Sequence, residues 1–213
     1  MIMKKIVAIN FSYSNNSMQD RGLSLMKNFI PFHACYNMSD FNLPICNTNK
    51  PNGHVPIEVK NFDAALNDAD AYVFTISEMI STYCSSFKNA MEWLVCNIGD
   101  KEDLSSYSIS HKPLVVCTFT PSYKNGARHI NETRKVLYQL NCDVKKFYTF
   151  NYCWENLVPG NYKFVEKESN EILEILNQDY EDKGITQHQG VRSMSSWLSQ
   201  YDEWNKKWTS LEN

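Results

Sequence analysis

The 213-residue chain has little glycine and little proline, 7 of each. Turns that need left-handed backbone must therefore fall partly to Ser and Asn, which tolerate it better than most side chains. Its 7 cysteines, at 35, 46, 84, 96, 117, 142 and 153, contain no C-x-x-C pair. An odd count scattered through apolar stretches argues against a disulfide frame and against a zinc site, so reduced thiols are expected. Charge of one sign is missing too: 21 Lys and Arg stand against 24 Asp and Glu, a formal net charge of −3. That balance gives no general attraction to nucleic acid or to an anionic membrane. No apolar run approaches the roughly 20 residues that cross a bilayer, and the opening MIMKKIVAIN lacks the length and cleavage site of a signal peptide. A cytoplasmic protein without membrane or nucleic-acid partners is expected.

What is present suits one α/β domain with a substantial core, since hydrophobic residues make up 43% and charged residues 21% of the chain. KKIVAIN (4–10) predicts a strand, FSYSNNS a polar loop, and MQDRGLSLMKNFI a helix. FHACYNM (32–38) predicts a weaker strand, and NLPICNTNKPNGHVP a long surface loop. IEVKNFDAALNDAD (57–70) predicts a short helix and AYVFTIS (71–77) a buried strand. Phe87, Ala90, Met91, Leu94 and Val95 then carry helical spacing. PLVVCTFT (113–120) predicts a fourth strand, Ile130, Thr133, Leu137 and Leu140 a helix, DVKKFYTFNYCW (143–154) a fifth strand, and YKFVEKESNEILEILNQDY a fifth helix. Such alternation means a parallel sheet covered on both faces, with right-handed crossovers. Beyond a break at EDKGITQHQG, Val191, Met194, Trp197, Leu198, Tyr201, Trp204, Trp208 and Leu211 predict an amphipathic helix with an aromatic face.

Three polar loops, 11–17, 77–84 and 120–127, each follow an apolar strand and so emerge at the carboxyl edge of a parallel sheet, where they can converge on one ligand. The first offers the hydroxyls of Ser12, Ser14 and Ser17, the amides of Asn15 and Asn16, and the free N–H groups of a helix start; such a cluster either binds phosphate or simply caps the helix. Cys84, close to a helix N-terminus, is either a reactive thiol or a small filler. His111 and His129 have no carboxylate or thiol at ligand spacing, and no metal site is expected.

The order AINFSYSNNS, DFNLPIC, DADAYVFTISEMISTYCSSFKNAMEWL and HKPLVVCTFTPSYKNGARHINETRKVLYQLNC resembles the NADPH-dependent FMN reductases, which include azoreductase-like and quinone reductase-like members. The likeness covers about residues 4–150, and FKNAMEWL, with Lys88, Asn89, Ala90, Trp93 and Leu94, is its closest part. It implies a flavodoxin-like three-layer sandwich over 1–180, with a five-stranded parallel sheet in the order 2-1-3-4-5. The aromatic helix then forms a C-terminal extension over 181–213. It implies FMN and NADPH (or NADH) as cofactors, a small-molecule electron acceptor, and a homodimer or homotetramer. The cofactor-binding residues it implies are Ser12, Ser14, Asn16 and Ser17 in the first loop, Ser77, Glu78, Met79, Ile80, Ser81, Thr82 and Tyr83 in the second, and Thr120, Pro121, Ser122 and Tyr123 in the third. The bound flavin carries the chemistry, so no catalytic acid or base is required of the chain.

The chain departs from the family pattern at defined places. Gly-Ser-x-Arg-x-x-Ser becomes Phe11-Ser12-Tyr13-Ser14-Asn15-Asn16-Ser17, which keeps both serines and loses the arginine. Pro-Glu-Tyr-Asn-Gly-Ser becomes Ser77-Glu78-Met79-Ile80-Ser81-Thr82, and Cys84 replaces a later proline. A neutral hydroxyl where an arginine paired with phosphate implies weaker FMN binding. Serine where glycine stood implies a flavin held further off or another turn shape. Tyr13, Tyr83 and Tyr123 stand either as aromatic contacts to a flavin or as packing caps. A flavodoxin-like protein with a degenerate flavin site, serving as a non-catalytic interaction module, is the alternative reading.

Overall fold

The computed structural model describes residues 4–47, 55–97, 107–123 and 128–178. The aromatic helix expected at 191–211 lies outside the described residues. Strand β1 (Ile6–Asn10) leads to helix α1 (Met18–Met26), then β2 (Ala34–Asn37), a one-turn α2 (Met38–Phe41), α3 (Ile57–Asn67) and β3 (Ala71–Thr75). A small hairpin, β4 (Glu78–Met79) and β5 (Thr82–Tyr83), precedes α4 (Ser85–Asn97). Then come β6 (Pro113–Phe119), α5 (Ile130–Gln139), β7 (Asp143–Phe150), a one-turn α6 (Cys153–Asn156) and α7 (Lys163–Asn177).

The five long strands pair in parallel as β2-β1-β3-β6-β7. Without the hairpin that is the expected order 2-1-3-4-5. Every residue of β1 and β3 is buried, because a parallel strand with helices on both sides has no polar face. Side chains alternate between two cores. Val7, Ile9, Tyr72, Phe74, Leu114 and Val116 pack with α3, α4 and α5, whereas Ile6, Ala8, Ala71, Val73, Val115 and Cys117 pack with α1 and α7. No helix among the described residues is long and apolar enough to cross a membrane.

Two local differences from the sequence reading have physical causes. The fifth strand stops at Phe150, not at residue 154, since Tyr152 enters left-handed backbone (φ 57°) and the next four residues close a helical turn. The one-turn helix at 38–41 was not expected; Asp40 Oδ2 accepts the Asn37 N–H at 2.7 Å, half of a capping box.

Helix α1 meets the sheet at Gly22, where an added Cβ would stand 2.3 Å from the Phe119 ring. That ring stacks on Phe150 at 4.5 Å between centroids, so it has little room to retreat. Gly22→Ala is therefore expected to destabilise the protein by about 1–3 kcal/mol despite its gain in helix propensity; urea unfolding checks this. His129, fully buried, sets its Nε2 2.8 Å from Thr118 Oγ1 and its Nδ1 2.9 Å from Thr133 Oγ1, tying α5 to β6. Burial lowers its pKa, opposed in part by Glu132. As pH falls, the unfolded chain takes up this proton before the folded one, so the contribution is complete above pH of about 6.5 and is lost below it. Urea midpoints should fall between about pH 7.5 and 5.5, and fall less in His129→Gln.

Candidate functional site

The carboxyl edge of the sheet is organised from inside. Asn10, at the end of β1 and buried, donates from Nδ2 to Asn37 Oδ1 (2.9 Å). Its Oδ1 accepts from the Ser12 N–H (3.0 Å) and the Thr75 hydroxyl (3.4 Å), so one amide joins the ends of β1, β2 and β3. The next residue, Phe11, stands where the family pattern has glycine, and its ring is fully buried against Phe74 and Phe87. Its carbonyl accepts from the Ser86 hydroxyl and from the Cys84 thiol (3.4 Å). Cys84 is thus a buried partner of loop 11–17, the role of a filler with a hydrogen bond.

Loop 11–17 then turns outward. Ser12 Oγ accepts the Ser14 N–H at 3.2 Å, Asn16 takes a left-handed φ of 57°, and Ser17 Oγ accepts the Asp20 N–H at 3.2 Å as the N-cap of α1. The N–H groups of Tyr13, Asn15, Asn16, Met18 and Gln19 have no hydrogen-bond partner among the described residues. Two of these belong to the first turn of a helix, whose donors cannot be used within it. Donors of this kind fit a phosphate without a positive side chain.

The second loop forms the small hairpin. Its two central residues, Ile80 and Ser81, have φ of 51° and 63°. Positive φ at both positions is what a type I′ turn requires, so the shape that Asn-Gly would favour persists without either residue. Ile80 is 97% exposed, and a β-branched side chain in left-handed backbone is strained. Glu78, at the foot of the hairpin, has its Oε2 buried with no hydrogen-bond partner among the described residues. Met79 is exposed; Tyr83 instead lays its ring on Phe87 at 5.2 Å and acts as a packing cap. Ser77 supplies its carbonyl to the Cys84 N–H at 3.1 Å, closing the hairpin base, and Thr82 is exposed.

In the third loop Thr120 is buried, its N–H donating to Phe150 O at 2.9 Å and its Oγ1 accepting the Ser122 N–H at 3.2 Å. Pro121 and Tyr123 are exposed, with the Tyr123 ring edge-on to Tyr152 at 5.0 Å. Asn151, just after β7, has its Oδ1 buried without a partner among the described residues. Residues 124–127 lie outside the described residues.

The three loops are joined pairwise by contacts the sequence reading missed. Phe11 links the first to the second, as above. Gln19 links the first to the third: its Nε2 donates to Phe119 O at 3.0 Å and its Oε1 accepts the Phe119 N–H at 2.9 Å, as a neighbouring strand would. Arg128 links the third to the second, its Nη1 donating to Ser81 Oγ at 3.1 Å. A loop-borne arginine in a neutral site was a visible signal for Arg128; nothing local marks Gln19. Tyr13 reaches sideways to Leu43 O at 3.4 Å. His111, with a φ of 58°, lies at the opposite edge and donates its N–H to Asn141 O at 2.8 Å. No cluster of His, Cys, Asp and Glu able to hold a metal ion occurs among the described residues.

Two shallow hollows among the described residues lie elsewhere. One, about 180 Å³, is lined by Lys4, Lys5, His33 and Leu173 at the amino edge; the other, about 500 Å³, runs along α5 and β7 past Arg134 and Phe147. The unpartnered backbone donors of loop 11–17 lie at the carboxyl edge instead.

A family model described as NADPH-dependent FMN reductase matches residues 4–151. No curated protein matches the chain significantly in sequence. Among solved structures, FerB, a flavoenzyme NAD(P)H:(acceptor) oxidoreductase from Paracoccus denitrificans, is similar with a TM-score of 0.65 at 15% identity, over 81% of this chain and 97% of that one. An NAD(P)H:quinone oxidoreductase from Methanothermobacter marburgensis is similar at 0.57 and 11%, over 84% and 99%. An NADH:FMN oxidoreductase in its apo form is similar at 0.55 and 14%, over 82% and 90%. At these identities the structural likenesses establish the fold.

The strained turn gives a direct test. Replacing Ile80→Asn, which leaves the Ser81–Arg128 hydrogen bond in place, is expected to raise stability by about 0.5–1 kcal/mol, read as a higher urea midpoint. No gain would mean that the turn is not held in left-handed backbone.

Proposed function

This chain belongs to the NADPH-dependent FMN reductase family, enzymes with FMN and NAD(P)H as cofactors, and on that premise we propose that it holds FMN along the carboxyl edge of its sheet and reduces a small flat acceptor there. The observation that carries the placement is the row of unclaimed N–H groups at the start of α1, beside the hydroxyls of Ser12 and Ser14. These groups suit the FMN phosphate. The ring would lie between the 77–83 hairpin and Thr120–Tyr123, where Glu78 Oε2 and Asn151 Oδ1 offer acceptors that lack a donor. When bound, FMN supplies a flat ring that takes a hydride from NAD(P)H and hands the electrons on.

The chain's own part is positioning. Asn10 fixes where loop 11–17 leaves the sheet, Ser17 holds the helix start that aims the donors, and Arg128 steadies the hairpin through Ser81. Exposed Met79 (57%), Ile80 (97%) and Tyr123 (69%) give this edge an apolar rim, which favours a quinone, azo compound or free flavin over a bare metal ion as acceptor. The alternative, a non-catalytic interaction module, rests on the aromatic segment 191–211 as its contact surface, which lies outside the described residues; nothing described supports it.

Titration with FMN, followed by quenching of flavin fluorescence and then by NADPH oxidation with a benzoquinone, is expected to show saturable binding and turnover. Binding absent at high FMN concentration would overturn the reading. Restoring the charge at the position of the missing arginine, Ser14→Arg, is expected to tighten FMN by about 5–10-fold, because a charge-assisted hydrogen bond replaces a neutral one. An unchanged or weaker affinity would place the phosphate elsewhere.

A further inference from the structure

Two sulfur atoms meet away from the candidate cofactor site. Cys46 Sγ and Cys96 Sγ lie 3.5 Å apart, both half-buried. All 7 cysteines are among the described residues, and no other two sulfurs there come within hydrogen-bonding reach of each other. The contact is built by α4, which turns Asn89, Trp93 and Cys96 onto one stripe, at i, i+4 and i+7. Asn89 Oδ1 accepts the Cys46 N–H at 2.7 Å, and Asn89 Nδ2 and Trp93 Nε1 donate to Pro44 O at 2.9 and 2.7 Å. Three hydrogen bonds therefore pin the backbone around Cys46 to the helix that carries Cys96. Burial, and after it the Cys96 sulfur, pushes the Cys46 thiol up to about 12, and in the contact either sulfur can be the hydrogen donor.

We propose that Cys46 and Cys96 form a reversible dithiol–disulfide pair, closed by a peroxide-class oxidant, that covalently ties segment 43–46 to α4. The Cys96 sulfur attacks one oxygen of hydrogen peroxide; the O–O bond breaks, a sulfenic acid forms and water leaves. The Cys46 sulfur then attacks the oxidised sulfur, the S–S bond forms, the S–O bond breaks, and a second water carries off the remaining oxygen with the thiol proton. Two electrons pass from the two sulfurs to the peroxide, and a dithiol reductant returns them. The other five thiols have no sulfur partner: Cys84, Cys117, Cys142 and Cys153 are buried, and Cys35 is half-buried. The tied segment also carries Leu43, whose carbonyl holds the Tyr13 hydroxyl of loop 11–17 at 3.4 Å.

The full-length protein, treated with a few equivalents of hydrogen peroxide and then unfolded, should show its titratable thiols falling from 7 to five. Digestion without reductant should yield the peptide of Cys46 joined to that of Cys96, and dithiothreitol should restore the original count. Cys46→Ser should keep its six thiols through the same mild treatment, or lose only Cys96. A wild-type count that stays at 7, a loss that dithiothreitol does not reverse, or a cross-link between other cysteines would overturn the proposal.

Discussion

The buried amide of Asn10 is the interaction on which the rest of the carboxyl edge depends. One side chain, 1% exposed, accepts from Ser12 and Thr75 and donates to Asn37, so the positions where three strands release their loops are fixed together. In the apolar interior an unpaired amide costs about 1–3 kcal/mol for each group left without a partner, which favours the one arrangement that satisfies all of them. Phe11 continues the constraint: its ring locks into the core and its carbonyl takes up Ser86 and Cys84, so the loop becomes free to turn toward solvent only from Ser12 onward.

From that anchor the site is assembled largely from neutral groups. Unclaimed backbone donors and serine hydroxyls stand where the family pattern places an arginine, and Arg128 is spent on Ser81 between the other two loops. The hairpin keeps left-handed backbone at Ile80 and Ser81 without the residues that favour it. A strained, exposed turn of this kind persists when its surroundings over-determine it, and here the Ser77–Cys84 hydrogen bond and the Arg128 contact do so.

The fold was legible because parallel strands buried on both faces write themselves as short apolar runs: IVAIN, AYVFT and PLVVCTF lie in β1, β3 and β6. The three loops at the carboxyl edge followed from strand–loop–helix order alone. What escaped were pairings between residues far apart in the chain, which local pattern cannot register. Gln19 and Phe119 are 100 positions apart, and Cys46 and Cys96 are 50 apart. Asn89 and Trp93 stand in the sequence as letters of the FKNAMEWL motif, yet their work of holding Pro44 and Cys46 becomes visible only in three dimensions. The end of β7 was misplaced because Tyr152 enters left-handed backbone, which its sequence does not announce.

The central claim is that the donors gathered by loop 11–17 and the rims formed by the hairpin and Thr120–Tyr123 make a single FMN site. Amide hydrogen exchange, compared with and without saturating FMN, tests it most directly. The account predicts slowed exchange confined to residues 11–19, 77–84 and 119–123. Protection centred instead on the groove of α5 and β7, or on the hollow at the amino edge, would contradict it.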